Sequence, residues 1–275
     1  MKVLTYETNR DIFAKSLLRY TCRRYNLDLT VLGQYEPWNG VHEKAFGFQQ
    51  YIKTLSPDEY VLCLDCRDTF FQAGEKEIIS KFEKLNSKIV FGIDSLCFPL
   101  LPLYKWYRTP YLNSGVYMGK ASDLLEMFKK FKYYFDHMYT ILYEAFGLTQ
   151  EDIEKEEYLY SPNLGKTLTK CDQLMATVTY LLTNLITLDE KSELIQTSTL
   201  IPEDFPLYYR LEEEIGNISN SHQYYNLVLD REKKYIYNEV TNTVPPIIHA
   251  PGPKVQMSTF SKFMKGDYGQ VATLF

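Results

Sequence analysis

Between Tyr60 and Gln72 the chain reads YVLCLDCRDTFFQ, which sets Cys63 and Cys66 three positions apart and Asp65 and Asp68 three positions apart. Paired thiols at that spacing do redox chemistry or hold zinc. Paired carboxylates offer hard oxygen donors to Mg²⁺ or Mn²⁺, and such a cation can bridge the phosphates of a nucleotide. The thiols lack the setting their chemistry needs. A redox pair opens a helix, whose dipole lowers the thiol pKa, yet Cys63 falls inside an apolar run. A structural zinc needs two further Cys or His at short spacing, and none is close by. Free cysteines packed as small apolar groups are the simpler reading. The carboxylates differ, because a charge placed directly after a buried strand is costly unless it pairs or binds a cation. Their ordinary alternative is that one caps the following turn and the other pairs with Arg67.

The elements around this motif explain why it would face a ligand. KVLTYET is an apolar run, Arg10 to Tyr25 has the pattern of one amphipathic helix, and LDLTVLG reads as a second strand. The helix AFGFQQYIKTL and a third strand, YVLCLD, follow. In that strand Cys63 and Asp65 point one way, Leu62 and Leu64 the other. The order β-α-β-α-β predicts a parallel sheet with crossover helices, and such sheets bind ligands beyond the carboxyl ends of their strands. Further on come a helix, EKEIISKFEKLN, a strand KIVFGID ending in Asp94, and an antiparallel strand, YLNSGVYMG. A helical stretch from Ser122 to Phe146 leads into the charged segment GLTQEDIEKEE, which reads as an insertion or lid. KCDQLMATVTYLLTN is again helical, and a hairpin from YYNLVLD leads to a last strand with His249 at its end.

Composition narrows the class. Apolar residues make up 45% and charged residues 24%, which is the balance of a soluble globular chain. A net charge of −5 and a pI near 5.5 exclude an overall basic field that recruits polyanions. Local basic runs remain at Arg19, Arg23 and Arg24 and at Lys129, Lys130 and Lys132; runs at this spacing read first as solvated helix faces. With 24 Tyr and 16 Phe the chain can build a cleft that stacks on sugars or nucleobases, although codon bias gives the same count. The opening apolar run is too short for a signal segment, and no stretch approaches the ~18 apolar residues of a membrane span. Cys22, Cys63, Cys66, Cys97 and Cys171 are odd in number and scattered. These features place the protein in a reducing cytoplasm, the host's if the source is a virus or phage, with no membrane partner.

With the aspartate pair in place, further stretches resemble the glycosyltransferase domain of the procollagen lysyl hydroxylase and procollagen galactosyltransferase families. They are LTYET, VLGQYEPWNGVHEKAFGFQQYIKTL, KIVFGIDSLCFP with YLNSGVYMG, CDQL and IIHAPGPK, in that order from about residue 3 to 254. The resemblance implies a GT-A-like single α/β domain over 1–275, its mainly parallel central sheet flanked by helices. It divides into a nucleotide-binding half at about 1–95 and an acceptor and sugar half at about 96–275, with a helical insertion at about 122–169. Carried residue by residue, it makes Asp65, Asp68 and His249 the ligands of Mn²⁺ (or Mg²⁺). Thr5 and Glu7 would hold uracil or ribose, Trp38 would wall the nucleotide, Lys44 and Lys254 would face phosphate, and Gly252 would let the backbone approach it. Asp94, Asn113, Ser114 and Gly115 would line the sugar and acceptor side. Asp172 and Gln173 would reach the donor sugar, with Asp172 ahead of Asp94 as catalytic carboxylate. The chain departs from the family at Lys170 and Cys171, where further acidic residues are usual, and in the length of Ser122 to Thr169. Lysyl hydroxylation is not implied.

The expected activity is therefore metal-dependent transfer of a sugar from a UDP-sugar to a hydroxyl. The acceptor is a protein or glycan, or a hydroxymethylated base in phage or viral DNA. A non-catalytic nucleotide-sugar-binding or interaction protein with the same fold is the alternative.

Overall fold

The computed structural model of the chain describes residues 1–94, 98–106, 110–155, 170–199, 227–230, 232–233, 235–251 and 254–266. Its centre is a six-stranded sheet. In chain order its strands are β1 (Lys2–Tyr6), β2 (Leu29–Leu32), β3 (Tyr60–Leu64), β5 (Ile89–Asp94), β6 (Tyr111–Lys120) and β7 (Ile186–Leu188), and in space they run β2-β1-β3-β6-β5-β7. β1 pairs in parallel with β2 and β3, and β5 in parallel with β7. β6 alone is reversed, antiparallel to both β3 and β5. The sheet is thus mainly parallel, and the expected strand YLNSGVYMG is its antiparallel member. β3 runs between two neighbours and has helices over both faces, which is why its sequence is a continuous apolar run rather than an alternating one.

One face of the sheet is covered by α3 (His42–Ile52), α5 (Ala121–Phe146) and α6 (Asp172–Leu182), in a core that includes Phe48, Phe128 and Met175. The other face packs on α2 (Leu17–Arg24) and α4 (Glu75–Lys84) through Leu18, Ile78 and Phe82. α5 belongs to the main core, with Leu124, Met127, Phe128 and Phe131 buried, and it ends where Gly147 takes a left-handed conformation, φ 66°. The later part of the segment expected to be an insertion, 156–169, lies outside the described residues.

A second, three-stranded sheet places β11 (Ile247–His249) between β4 (Thr69–Phe71) and β8 (Ile195–Thr197). Phe70 and Ile248 on one of its faces meet Phe260 and Phe263 of α7 (Lys254–Lys265). The expected hairpin is β9 (Leu227–Asp230) with β10 (Tyr235–Asn238).

One element corrects the sequence reading. The single helix expected from Arg10 to Tyr25 is two, α1 (Arg10–Lys15) and α2, broken at Ser16. Ser16 is extended, at φ −65° and ψ 147°; its amide donates to the Phe13 carbonyl and its Oγ accepts from the Arg19 amide. One serine therefore closes the first helix and caps the second.

Candidate active site

The turn from β3 to β4 carries Asp65 and Asp68 from the first sheet to the second, and β11 brings His249 alongside. The register of β11 on β4 pairs His249 with Thr69, one residue beyond Asp68, and the Ala250 amide donates to the Asp68 carbonyl at 2.7 Å. On the other side the Asp65 amide donates to the Gly115 carbonyl at 2.8 Å. Backbone pairing thus fixes all three side chains. His249 Nε2 lies 3.7 Å from Asp65 Oδ2 and 3.5 Å from Asp68 Oδ1, and one donor atom from each of the three residues falls within 4.8 Å of the other two.

The donors are also under-satisfied. His249 is 2% exposed, yet neither ring nitrogen has a hydrogen-bond partner among the described residues, and Asp68 Oδ1 has none either. A buried imidazole with no hydrogen bond at either nitrogen and only long approaches from Nε2 to two carboxylates is expensive. A divalent cation taking one nitrogen and the two carboxylates relieves that cost, and carboxylate with imidazole is a donor set that Mn²⁺ accepts. Burial pushes the Asp65 carboxyl up, with Lys44 opposing, and its net pKa is raised. Burial works the same way on Asp68, but His249 together with Lys44 and a backbone hydrogen bond outweighs it and holds Asp68 low. His249 is raised in turn, because Asp68 and Asp65 together overcome its burial.

The three residues lie in the wall of a cavity of about 760 Å³. A second row of polar side chains continues along it. Lys44 of α3 sits between Asp65 Oδ1 at 2.7 Å and Asp172 Oδ2 at 2.8 Å; burial lowers its pKa, but the two carboxylates raise it further and keep it charged. Ser114 Oγ donates toward Asp172 Oδ2 at 3.3 Å, its amide donates to Gln173 Oε1 at 3.2 Å, and Gln173 Nε2 donates to the Phe98 carbonyl. Asn113 Nδ2 donates to Asp94 Oδ2 at 2.9 Å, as does Thr199 Oγ1 at 3.1 Å. Asp94, Asn113, Ser114, Gly115, Asp172 and Gln173, which the resemblance had gathered, therefore share one wall.

Several expected roles change. Thr5 was expected to touch uracil or ribose, but it is fully buried and donates to the Leu64 carbonyl, so it stitches β1 to β3 instead. Lys44 was expected to face phosphate; it lines the cavity, where its ammonium contacts two carboxylates. Arg67 leaves the aspartates alone and grips Glu7 with two donors, Nε to Oε2 at 2.7 Å and Nη2 to Oε1 at 3.0 Å. Glu7 and Trp38 do line the cavity, Trp38 half exposed at its rim beside Tyr6. Gly115 leaves space for the His249 ring: a Cβ there would sit 2.7 Å from Nδ1 and closer still to Nε2 and Cε1. Gly252 and the side chain of Lys254 lie outside the described residues.

The two thiols of the motif are buried as small apolar groups, although Cys66 also borders the cavity. Cys63 packs in the cluster with Phe48 and Tyr117, Cys66 in the cluster with Leu64 and Val116. Burial pushes the Cys66 thiol up to about 12 and raises Cys63 as well. Sequence reasoning missed Arg67 as a fixed part of the cleft, and it missed Thr199. A lone Arg between two aspartates signals pairing with them, and its true partner is 60 positions away.

Comparison with known proteins gives the cleft a context. The sequence model described as the PLOD GT domain matches residues 1–146. An uncharacterized protein of Acanthamoeba polyphaga mimivirus is 24% identical over 247 residues, 84% of this chain and 42% of its own. The human multifunctional procollagen lysine hydroxylase and glycosyltransferase LH3 is 22% identical over 256 residues, 87% of this chain and 28% of its own. The chain thus spans less than half the length of either relative. Among solved structures, a glycosyltransferase involved in glycosylation of the major capsid of PBCV-1 aligns with 96% of this chain and 98% of its own at 13% identity and a TM-score of 0.42.

Proposed function

The chain belongs to the PLOD GT domain family, and from that premise we propose that it transfers a sugar from a UDP-sugar to a hydroxyl acceptor using a divalent cation, Mn²⁺ or Mg²⁺, held by Asp65, Asp68 and His249. The observation that carries the reading is the convergence of these three side chains on one point of the cavity wall, with neither ring nitrogen of the buried His249 hydrogen-bonded among the described residues. When bound there, the cation acts as a Lewis acid toward the pyrophosphate oxygens.

The protein's own residues divide the remaining work along the cavity. Glu7, pinned by Arg67, and the exposed face of Trp38 stand at one end, where a carboxylate accepts from ribose hydroxyls and an aromatic ring stacks on a flat base. Asp94, Asn113, Ser114, Asp172 and Gln173 also line the cavity, linked by their own hydrogen bonds. Their carboxylates, amides and hydroxyl match the alternating donors and acceptors of a hexose. Lys44 holds the Asp172 carboxylate in place, ready to orient the sugar or take the acceptor's proton. The acceptor class is a protein or glycan hydroxyl, which suits the acidic net charge of −5 better than DNA does.

The test is UDP release from a panel of UDP-sugars with Mn²⁺, with Mg²⁺ and with EDTA, followed by acceptor screening with collagen-like peptides, glycans and hydroxymethylated DNA. Release that needs metal and is abolished in Asp68→Asn supports the reading. UDP binding without turnover of any sugar would make the chain a nucleotide-sugar-binding protein, and release indifferent to EDTA would remove the cation from the mechanism.

A further inference from the structure

We infer that the chain carries a second ligand site, a basic basin for a compact polyphosphate, formed between α1, α2 and the end of α7. The basin has a volume of about 640 Å³ and shares no lining residue with the cleft. Lys15, Arg19, Arg23 and Arg24 come from one segment and Lys265 from the far end of the chain, and among the described residues no acidic side chain lines it. Among the described residues none of these five cations pairs with a carboxylate. In a protein of net charge −5, that is a local reversal of sign.

The placement of Arg19 works against the helix that carries it. Arg19 and Arg23 stand four residues apart on α2, a spacing at which like charges repel, and Lys15 at the end of α1 adds a third cation to the same basin. Arg19 lies in the first turn of α2, three residues after the Ser16 cap, where the helix dipole disfavours a cation. Compensation of helix dipoles accounts for Lys15 at the end of α1, Arg23 and Arg24 at the end of α2 and Lys265 at the end of α7, but not for Arg19. Burial does not explain the cluster either, since Lys15, Arg23, Arg24 and Lys265 are exposed. An anion seated among them turns the repulsion into attraction.

Three features point to phosphate and to a compact ligand. Three of the five cations are arginines, whose planar forks match phosphate oxygens in pairs. Arg24 spends one N–H on the Met264 carbonyl at 3.1 Å and Arg19 one on the Ala14 carbonyl at 2.9 Å, so the forks are oriented while most of their donors stay available. The Arg24 bond also ties α2 to the end of α7, and Lys265, over the Tyr20 ring at 5.8 Å, closes the basin opposite the other cations. The charge converges on a concavity instead of continuing as a stripe, so it suits several phosphates close together better than an extended strand.

Titration calorimetry of the full chain with inorganic tripolyphosphate, in EDTA to keep cations out of the cleft, tests the site. The expected result is one saturable site that UDP does not displace and that weakens about tenfold or more in Arg23→Gln/Lys265→Gln. Lys15→Gln/Arg23→Gln, exposed on one segment, should weaken it similarly and serves if the first variant misfolds. Sedimentation with vesicles containing phosphatidylinositol bisphosphate, beside vesicles without it, separates a membrane-borne headgroup from a soluble polyphosphate; binding in either arm that the variants weaken supports the site. Absence of saturable binding in both arms, equal affinity in the variants, displacement by UDP, or a single-stranded oligonucleotide that outcompetes tripolyphosphate at equal phosphate concentration would overturn it.

Discussion

Asp68 and Asp172 are carboxylates of one cleft whose neighbours give them different work. Asp68 faces His249 with an oxygen that has no hydrogen-bond partner among the described residues, whereas Asp172 is held by Lys44 and Ser114. Asp68→Asn should therefore weaken Mn²⁺ and, through it, UDP binding, with excess Mn²⁺ restoring part of the activity. Asp172→Asn should leave both affinities nearly intact while the single-turnover rate falls about 10²-fold. Calorimetry with UDP and Mn²⁺ beside single-turnover kinetics distinguishes them. Loss of UDP affinity at an unchanged rate in Asp172→Asn would move that residue to the nucleotide end and leave Asp94 as the catalytic carboxylate. Gly115→Ala probes the same point from behind. The added methyl overlaps the imidazole of His249, and neither the backbone of β6 nor the ring has slack, both being buried. The variant should fold yet bind Mn²⁺ at least about tenfold more weakly, and unaltered Mn²⁺ affinity would show that the ring is not a ligand.

At the scale of elements, the break at Ser16 makes the clearest energetic statement. Ser16→Ala removes the oxygen that accepts from the Arg19 amide and should cost about 1 kcal/mol, read as a lower urea midpoint at unchanged slope. The break was not legible because the apolar spacing continues across it, from Phe13 to Leu17 and Leu18. Only a hydrogen bond marks the boundary, and a serine within a helical pattern does not announce one. Long elements were legible for the opposite reason: β3, β5, β6, α4, α5 and α6 each bury enough side chains to impose a period or an apolar run. The strands β4, β7 and β8 were not, being three residues each, too short for a period to show. Asp189 escaped in the same way. Its buried carboxylate accepts from the amides of Glu193, Leu194 and Ile195 and shapes the turn into β8, a role that no spacing signals. The aspartate pair was legible as chemistry and the resemblance brought in His249, but the carboxylates that Lys44 and Arg67 contact were not legible, since sequence names a charge without saying which distant opposite charge the fold brings to it.

At the scale of the whole molecule, the candidate metal site is also a joint between two sheets. Asp65 leaves the six-stranded sheet, Asp68 enters the three-stranded one, and His249 stands in its middle strand. A cation held by all three would bind the folded joint and not the unfolded chain. Mn²⁺ should therefore raise the melting temperature with its concentration, by an amount equivalent to about 2.7 kcal/mol at a hundred times its Kd. EDTA should reverse the rise, and His249→Ala should abolish it; a rise that persists in that variant would place the stabilising cation elsewhere. The same joint has a historical consequence. Because a Cβ at position 115 and an imidazole at position 249 claim one volume, the two positions cannot drift independently. A lineage that gives up the histidine is released to place any small side chain at 115, while one that keeps it is confined to glycine there. Among descendants of this fold, the residue at 115 thus records whether the ancestor still had a use for the ring.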